Sequence, residues 1–259
     1  MSAENWSRRF GGIERLYGKS AATRIRDAHV VVIGVGGVGS WAAEALARSG
    51  VNELTLIDPD EVCLSNCNRQ LPALSATVGE AKVDVLAERI AGINPECRVH
   101  RHLEFITADN LGTLLPTAAL VLDAIDQLAP KAALANHCKR NKVPLICTGG
   151  AGGKRDPRLI TSGDLSRTIH DPLLAKLRGT LRRRYGFPKD ERKFGVECIY
   201  STEQLRYPSA TGETCTTKAD MEGPARLDCA SGFGAATMVT ASFGLFAASR
   251  LIERYLAAS

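Results

Sequence analysis

Two patterns that would place the protein in a secreted or zinc-binding class are missing from its 259 residues. None of the eight cysteines belongs to a C-x-x-C pair, so we expect neither a structural zinc site nor a disulfide framework. The opening MSAENWSRRF has no apolar core and is not expected to act as a signal peptide. We therefore expect reduced, mostly buried thiols in a cytoplasmic protein.

The sequence also lacks a strong net charge and a long, strongly apolar run. The net charge is only +5 and 44% of residues are hydrophobic, which suits one large α/β domain over residues 1–259. The uncharged segment 229–249 is long enough to span a bilayer, but much of it is Gly, Ala, Ser and Thr. Such residues favour a helix packed tightly against a sheet or a second subunit. Membrane association through residues 229–257 is the alternative.

A glycine cluster follows a β-branched run in VVVIGVGGVGSWAAEAL, residues 30–46. Gly34, Gly36 and Gly39 fit G-x-G-x-x-G, and Asp58 follows 19 residues after Gly39. In this pattern the first glycine permits a tight turn, the second lets the backbone approach a phosphate, and the third lets the helix pack closely on the strand. Asp58 is then placed to bind ribose hydroxyls. The pattern predicts a nucleotide site but does not specify the nucleotide.

Predicted strands and helices alternate with short links along most of the chain. The predicted strands are 29–33, 53–58, 97–105, 118–126, 143–150 and 193–201, and the predicted helices are 13–26, 37–49, 79–93 and 127–141. This alternation predicts an α/β fold with a doubly wound, mostly parallel, Rossmann-like sheet.

Residues after the second strand indicate which nucleotide is bound. Asn66 and Arg69 lie in a loop, and Lys82 begins the next predicted helix. An enzyme that splits ATP between its α and β phosphates must neutralise the leaving pyrophosphate, and a fixed Arg and Lys do that, whereas a dehydrogenase needs few such cations. A lysine in a first helical turn opposes the helix dipole, so an anion partner would explain Lys82. The plainer alternatives are a surface arginine and a solvated lysine.

The segment LDAID ends the fourth predicted strand and places Asp126 before a helix. A carboxylate at the carboxyl end of a strand suits the Mg²⁺ that accompanies ATP. The alternative is that Asp126 is the N-cap of that helix, and one residue could serve both purposes.

Residues 154–193 interrupt the alternation and hold the positive excess of the chain. They carry twelve Lys or Arg against five acids, whereas the rest of the chain has 21 against 23. We interpret this segment as a basic helical excursion that binds nucleic acid phosphates, with Tyr185 and Phe187 available to stack on an unpaired base. The candidate cations are Arg178, Arg182, Arg183, Arg184 and Lys189. A solvated basic helix face is the alternative.

The motifs GVGGVGS, LIDPDEV, LSN, GEAKVD and DAID stand together in the order and spacing of a known group of adenylating enzymes. The chain resembles the ubiquitin-activating, thiamine- and molybdopterin-adenylyltransferase superfamily over residues 8–150 and again from about 195. The segments RRFGGIERLYG, DAIDQLAPKAAL and LDCASGFGAATMVTASFG are similar to one branch, the tRNA threonylcarbamoyladenosine dehydratases.

This resemblance implies a function and a set of site residues. The implied reaction is ATP-dependent adenylation of the carboxylate of a modified adenosine beside the tRNA anticodon, followed by ring closure and release of AMP. Implied partners are tRNA, a second copy of the chain, and a sulfur-relay protein or cysteine desulfurase. The predicted nucleotide-binding residues are Gly34, Gly36, Gly37, Gly39, Asp58, Asn66, Arg69, Gln70 and Lys82, with Asp126 as the Mg²⁺ ligand and Arg69, Lys82 and Asp126 as catalytic residues.

The chain departs from the wider superfamily at two features. Its sulfur-carrier-activating members carry two C-x-x-C zinc pairs, which are absent here. Their R-Y-x-R-Q-I opening supplies an arginine to the partner subunit's site, whereas this chain has Gly12 at the second arginine's place. Arg9 matches the first arginine, and Arg15 is a candidate substitute. Activation of a sulfur-carrier protein's C-terminal glycine and an NAD-dependent oxidoreductase are the competing hypotheses.

The remaining candidates are cysteines. In relatives that transfer proteins or sulfur, a cysteine forms a thioester or persulfide, which makes Cys198, Cys215 and Cys229 candidates here. Buried or incidental thiols are the expected alternative.

Overall fold

The computed structural model describes residues 3–117, 119–209, 213–216 and 233–258. Its centre is a seven-stranded sheet. In spatial order its strands are β3 (Arg98–His102), β2 (Glu53–Ile57), β1 (His29–Ile33), β4 (Leu120–Asp123), β5 (Leu145–Thr148), β7 (Glu197–Ser201) and β6 (Ile160–Asp164). Neighbouring strands are parallel except β6, which runs antiparallel to β7. This arrangement confirms the predicted doubly wound, mostly parallel α/β fold.

The first half of the sheet grows outward from β1. Strands β1 (His29–Ile33), β2 (Glu53–Ile57) and β3 (Arg98–His102) are joined by helices α3 (Gly39–Arg48) and α4 (Lys82–Ile93). The last four residues of β1, Val30 to Ile33, are β-branched and buried on both faces, as expected of a strand covered by helices on two sides.

The second half begins on the other side of β1. Strand β4 (Leu120–Asp123) pairs with β1, and β5 (Leu145–Thr148) follows after helix α6 (Leu128–Arg140). A short helix, α5 (Leu111–Leu114), precedes β4. The order of the strands therefore reverses between β1 and β4, which places a crevice at the carboxyl ends of these two strands.

The basic segment 154–193 is built into this sheet. It supplies the edge strand β6 (Ile160–Asp164) and helix α7 (Pro172–Tyr185), before β7 (Glu197–Ser201) returns to the interior. Four leucines of α7 are buried, Leu173, Leu174, Leu177 and Leu181. The segment was expected to be helical, but an antiparallel strand also lies within it because β7 offers an unpaired edge.

Helices at the two chain ends cover one face of the sheet. Predicted helix 13–26 is two helices, α1 (Ala3–Tyr17) and α2 (Lys19–Asp27), separated by Gly18 with φ +84°. Helix α8 (Thr237–Ala257) packs against α3 in the same chain. A small hairpin of β8 (Tyr207–Pro208) and β9 (Thr214–Cys215) lies before it.

The small residues of α8 serve close packing between helices. A side chain at Gly244 would press against the carbonyl oxygen of Val38 and approach the amide nitrogen of Ala42 to 2.9 Å. This packing supports the buried-helix interpretation of the uncharged segment, whose residues 229–232 lie outside the described residues. In the part of the chain that the structure describes, no helix is long and apolar enough to cross a bilayer.

Gly244→Ala is expected to destabilise the fold by about 1–3 kcal/mol, because the added methyl group overpacks the contact between α8 and α3. Gly92→Ala is the matched control, since Gly92 lies within α4 and nothing approaches its Cβ position within 4 Å. The control should gain roughly 0.5–1 kcal/mol from helix propensity. Urea denaturation measures both, and equal effects of the two substitutions would contradict the packing argument.

Candidate active site

A cavity of about 510 Å³ opens at the carboxyl ends of β1, β2, β4 and β5. It lies at the crevice between β1 and β4, where open parallel sheets bind their ligands, and its size suits a small-molecule ligand. Eight of the ten residues predicted to bind the nucleotide or Mg²⁺ line its wall: Gly34, Gly36, Gly37, Asp58, Arg69, Gln70, Lys82 and Asp126. The fold therefore brings together residues that are up to 92 positions apart in the sequence.

The glycine turn connects β1 to α3 along one side of the cavity. Gly34 has φ +81°, and a Cβ there would come within 2.9 Å of the Ala124 carbonyl oxygen. A Cβ on Gly39 would collide with the carbonyl oxygen of Gly34, so both positions require glycine. Gly36 and Gly37 line the cavity beside Gly34, and their backbone is accessible to a phosphate.

Asp58 forms the adjacent wall at the end of β2. Its Oδ2 accepts a hydrogen bond from the Val35 amide at 2.7 Å, and its Oδ1 accepts one from the Asp60 amide at 2.9 Å. Burial raises the pKa of the Asp58 carboxyl, and the Lys82 ammonium offsets part of that rise. The carboxylate thus fixes the glycine turn and the β2 loop against each other.

Lys82 is the first residue of α4, and its side chain is buried in the cavity wall. Its Nζ donates to Asp60 Oδ2 at 2.8 Å and lies 4.0 Å from Asp58 Oδ1. The Asp60 side chain is 61% exposed, so it can move aside when an anion approaches the ammonium group. The prediction that Lys82 lies at the start of this helix is confirmed, although the helix begins at Lys82 and not at residue 79 as the predicted range had it.

Arg69 lies beside the glycine turn, with its Cγ 3.4 Å from the Cβ position of Gly37. Its guanidinium donates to the Ser65 carbonyl at 2.8 Å and to Asn68 Oδ1 at 2.9 Å. Its backbone carbonyl accepts from the Trp41 indole nitrogen at 3.1 Å. Both ends of the residue are therefore held in place at the rim of the cavity.

Gln70 and Asn66 differ in their relation to the cavity. Gln70 lines it, and its Oε1 is buried without a hydrogen-bond partner among the described residues. Asn66 is buried behind the wall, where its Oδ1 accepts from the Cys63 amide at 3.1 Å and its carbonyl accepts from the Gln70 amide at 2.9 Å. Direct contact of Asn66 with a nucleotide stays a prediction, and the structure gives it a role in shaping the loop.

Asp126 lines the cavity after β4 with an exposed side chain. Helix α6 begins at Leu128 with Gln127 as its N-cap, so the alternative role of Asp126 as the cap is wrong. Within the described ranges no hydrogen bond or ion pair engages its carboxylate. An accessible carboxylate of this kind fits a hard divalent cation such as Mg²⁺.

The sequence analysis missed a second glycine loop, Gly149–Gly152, which follows β5 and lines the cavity. The buried carboxylate of Asp171 holds it, accepting from the Gly150 amide at 2.9 Å and from the Leu174 amide in the first turn of α7 at 2.9 Å. Burial raises the pKa of Asp171. The run TGGAGG after a predicted strand was the available signal. Phe105 and Phe233 also line the cavity without a sequence motif to mark them.

Arg9 and Arg15, the candidate arginines for a partner subunit, both lie on α1. Arg9 donates to the Ile93 carbonyl at the end of α4 at 3.0 Å, and Arg15 is exposed. Neither lines the cavity of its own chain among the residues described. Their action on a second subunit stays a prediction.

The five candidate tRNA-binding cations of 154–193 fall into two groups. Arg178 donates to the Leu165 and Thr168 carbonyls at 3.1 Å each, and Arg182 donates to the Pro188 carbonyl at 3.0 Å while lying over the ring of Phe194. These two arginines are engaged by backbone carbonyls of the segments before and after α7. The other three candidates, Arg183, Arg184 and Lys189, are exposed.

One stacking residue was predicted wrongly. Phe187 is buried, with its ring centroid 5.1 Å from that of Phe194, because Gly186 at the end of α7 turns the chain back onto the core. Tyr185 remains exposed at the end of the helix.

The described cysteines differ in their burial. Cys138, Cys147 and Cys198 are buried, whereas Cys63 and Cys67 are exposed, contrary to the expectation of mostly buried thiols. Burial raises the pKa of Cys198, which opposes a nucleophilic role. Cys215 is partly exposed, and Cys229 lies outside the described residues.

Comparison with known proteins matches the ThiF family model to residues 11–255. The chain is 54% identical to tRNA threonylcarbamoyladenosine dehydratase of Escherichia coli K12, across 98% of this chain and 96% of that protein. It is 51% identical to the enzyme of the same name from Haemophilus influenzae, across 98% and 95%. A solved structure of the E. coli tRNA N6-threonylcarbamoyladenosine dehydratase in complex with ATP has a TM-score of 0.88 and 48% identity, and the match covers 100% of this chain and 98% of that one. The chain therefore belongs to the ThiF family, within the branch of the tRNA threonylcarbamoyladenosine dehydratases.

Proposed function

We propose that the protein is an ATP-dependent enzyme that converts threonylcarbamoyladenosine beside the tRNA anticodon to its cyclic form. The observation that carries the proposal is the cavity at the crevice between β1 and β4. There the glycine turn, Arg69, Lys82 and Asp126 meet in a chain that is 54% identical to a dehydratase of this name. An NAD-dependent oxidoreductase would not need this concentration of cations around the phosphates.

The first chemical step is adenylation of the substrate carboxylate. A carboxylate oxygen attacks the α phosphorus of ATP, the bond between the α and β phosphates breaks, and pyrophosphate leaves. Charge moves onto the pyrophosphate in this step. We assign the neutralisation of this charge to Lys82 and Arg69, which line the cavity. Hydrogen bonds already hold their side chains at the cavity wall, so they need little reorganisation during the reaction.

The second step closes the ring within the substrate. A nitrogen or oxygen of the same threonylcarbamoyl group attacks the acyl carbon, and AMP leaves with the former carboxylate oxygen. The net result is loss of one water from the substrate and conversion of ATP to AMP and pyrophosphate. No protein nucleophile is required, which agrees with the burial of Cys198.

Asp126 is the proposed ligand for the Mg²⁺ that accompanies ATP. Its exposed carboxylate is free of partners within the described residues and projects from the loop after β4. The cation supplies charge neutralisation at the phosphates when it is bound.

A direct test incubates tRNA that carries threonylcarbamoyladenosine with the protein, ATP and Mg²⁺, and analyses the nucleosides by mass spectrometry. The expected product is lighter by one water, with AMP and pyrophosphate formed in equal amounts. An analogue with a methylene bridge between the β and γ phosphates should support the reaction, whereas one with the bridge between α and β should not. Release of ADP and phosphate in a substrate-dependent reaction would contradict the mechanism.

The exposed cations at the end of α7 are the proposed tRNA contacts. Phosphate contacts release counterions, so RNA affinity falls with salt in proportion to their number. We expect Arg183→Ala/Arg184→Ala/Lys189→Ala to weaken tRNA binding and to reduce the slope of log K against log salt by about 2–3, since each lost phosphate contact contributes roughly 0.7–0.9. A salt titration of tRNA affinity measures this slope, and ATP affinity should not change.

Arg98→Ala/Arg101→Ala is the control for charge removal, because both arginines are exposed on β3 at the opposite edge of the sheet. This control should keep the wild-type slope. Equal slopes for the wild type and the α7 variant would place the tRNA surface elsewhere.

We also propose that the protein is a homodimer. The small residues of α8 pack within the chain, so this proposal rests on the resemblance and on the exposed Met238 and Leu245 of α8. Light scattering without detergent is expected to give twice the chain mass of 27.8 kDa. A monomer at micromolar concentration would contradict it.

Three further expectations stay predictions: a cytoplasmic location, a sulfur-relay or cysteine desulfurase partner, and an arginine supplied from a second subunit. Two observations oppose the sulfur-carrier alternative: the sequence lacks the zinc pairs of such enzymes, and the chain is 54% and 51% identical to two dehydratases.

A further inference from the structure

Two histidines and a glutamate meet on three neighbouring strands at the end of the sheet away from the cavity. His29 and Glu53 are the first residues of β1 and β2 and lie opposite each other in register. His100 lies on β3 opposite Thr55, which is two residues after Glu53. Because side chains alternate along a strand, all three project from the same face of the sheet. The glycine turn begins at the other end of β1, roughly 13 Å away for four residue steps.

The ligand atoms of the three side chains lie within 4.8 Å of one another. Glu53 Oε1 is 3.0 Å from His100 Nε2 and 3.9 Å from His29 Nδ1. A tetrahedral zinc ion with bonds of about 2.0–2.2 Å separates its ligands by about 3.3 Å. The three groups therefore need to move by less than about 1 Å to bind one ion.

Neighbouring side chains orient two of these groups. Thr55 Oγ1 is buried and lies 2.8 Å from His29 Nε2, so in the tautomer with its proton on Nε2 the ring presents a lone pair on Nδ1. Arg98 donates to Glu53 Oε2 at 2.6 Å and leaves Oε1 directed toward the histidines. Hydrogen bonds of this kind typically fix the orientation of metal ligands.

We propose that His29, Glu53 and His100 form a site for a divalent ion of the zinc class, separate from the nucleotide cavity. Two imidazoles and one carboxylate suit Zn²⁺ and the late first-row metals better than Mg²⁺, which prefers oxygen ligands. The side chain of His100 is 47% exposed, so water can reach the fourth coordination position. A bound ion would join β1, β2 and β3 at the sheet edge.

Zinc titration by calorimetry tests the site without nucleotide or tRNA. Tag-free protein, stripped with EDTA, should bind one Zn²⁺ per chain, and excess Mg²⁺ should not compete. His100→Ala should abolish this binding, and its exposed position makes loss of folding a small concern. Thr55→Val should retain the ligands but weaken binding by about 10–100-fold, because it removes only the group that orients His29.

Cys63→Ser/Cys67→Ser is the control, since these exposed thiols are the competing zinc ligands. This variant should bind zinc as the wild type does. Co²⁺ gives a second measurement, because a four-coordinate site produces visible absorption that His100→Ala should remove. Zinc binding that survives His100→Ala, or that disappears in the double serine variant, would overturn the proposal, as would the absence of stoichiometric binding in the wild type.

Discussion

Arg69→Ala and Lys82→Ala are each expected to cost roughly 2–4 kcal/mol of transition-state stabilisation, measured as a loss of kcat/KM for the tRNA substrate. Both cations line the cavity and are held by short hydrogen bonds before any ligand arrives. Removing one preorganised donor of this kind removes stabilisation that water cannot replace. The loss should appear mainly in kcat if the charge develops on pyrophosphate during the reaction.

Arg89→Ala is the matched control for this prediction. Arg89 lies on the same helix as Lys82 but points away from the cavity, where it forms an ion pair with Glu44. Its replacement should leave kcat/KM nearly unchanged. A loss of less than tenfold for both Arg69→Ala and Lys82→Ala would mean that neither cation acts on the reacting phosphates.

The parts of this site that the sequence predicts share a local signal. Gly34 and Gly39 are recognisable because a turn between a strand and a helix demands glycine at both places. Lys82 is recognisable because a cation in the first turn of a helix opposes the helix dipole and therefore indicates an anionic partner. The doubly wound, mostly parallel sheet could be predicted from the alternation of strands and helices, since parallel strands joined by helices have few allowed topologies.

The features of the site that could not be predicted from the sequence depend on contacts between distant segments. The binding of the Gly149–Gly152 loop by Asp171 joins two segments whose pairing has no local pattern. Arg178 and Arg182 look like a charged helix face in the sequence, but backbone carbonyls from neighbouring loops engage both of them. Counting the basic residues in the sequence therefore overestimated the number of cations that are available to RNA.

Lys131 is the clearest residue that sequence analysis overlooked. In the sequence it resembles an ordinary charged position in the first turn of α6. In the structure neither its side chain nor that of Asp123 has any exposed surface, and its Nζ donates to Asp123 Oδ1 at 3.0 Å and to the Ile125 carbonyl at 2.9 Å. Burial alone would lower the pKa of Lys131, but the Asp123 carboxylate outweighs it and the pKa lies above its usual value.

This buried pair fixes the loop that carries Asp126 into the cavity. Asp123 Oδ1 also accepts from the Ile125 amide at 3.0 Å, so one carboxylate oxygen and one ammonium group hold both polar groups of Ile125. The other oxygen, Asp123 Oδ2, is buried without a partner among the described residues. The position of the loop that carries Asp126 therefore depends on the buried Asp123 carboxylate, which is costly to leave without the Lys131 ammonium group.

Lys131→Met is expected to destabilise the protein by about 3–5 kcal/mol, since it leaves the Asp123 carboxylate buried and uncompensated. Lys131→Met/Asp123→Asn removes both charges at similar volume and should be more stable than the single variant, because an amide oxygen can still accept from Ile125. Urea denaturation of the wild type, both single variants and the double variant gives the coupling energy. Additive effects of the two substitutions would show that the ion pair does not determine the stability of this loop, and the positioning of Asp126 would then need another explanation.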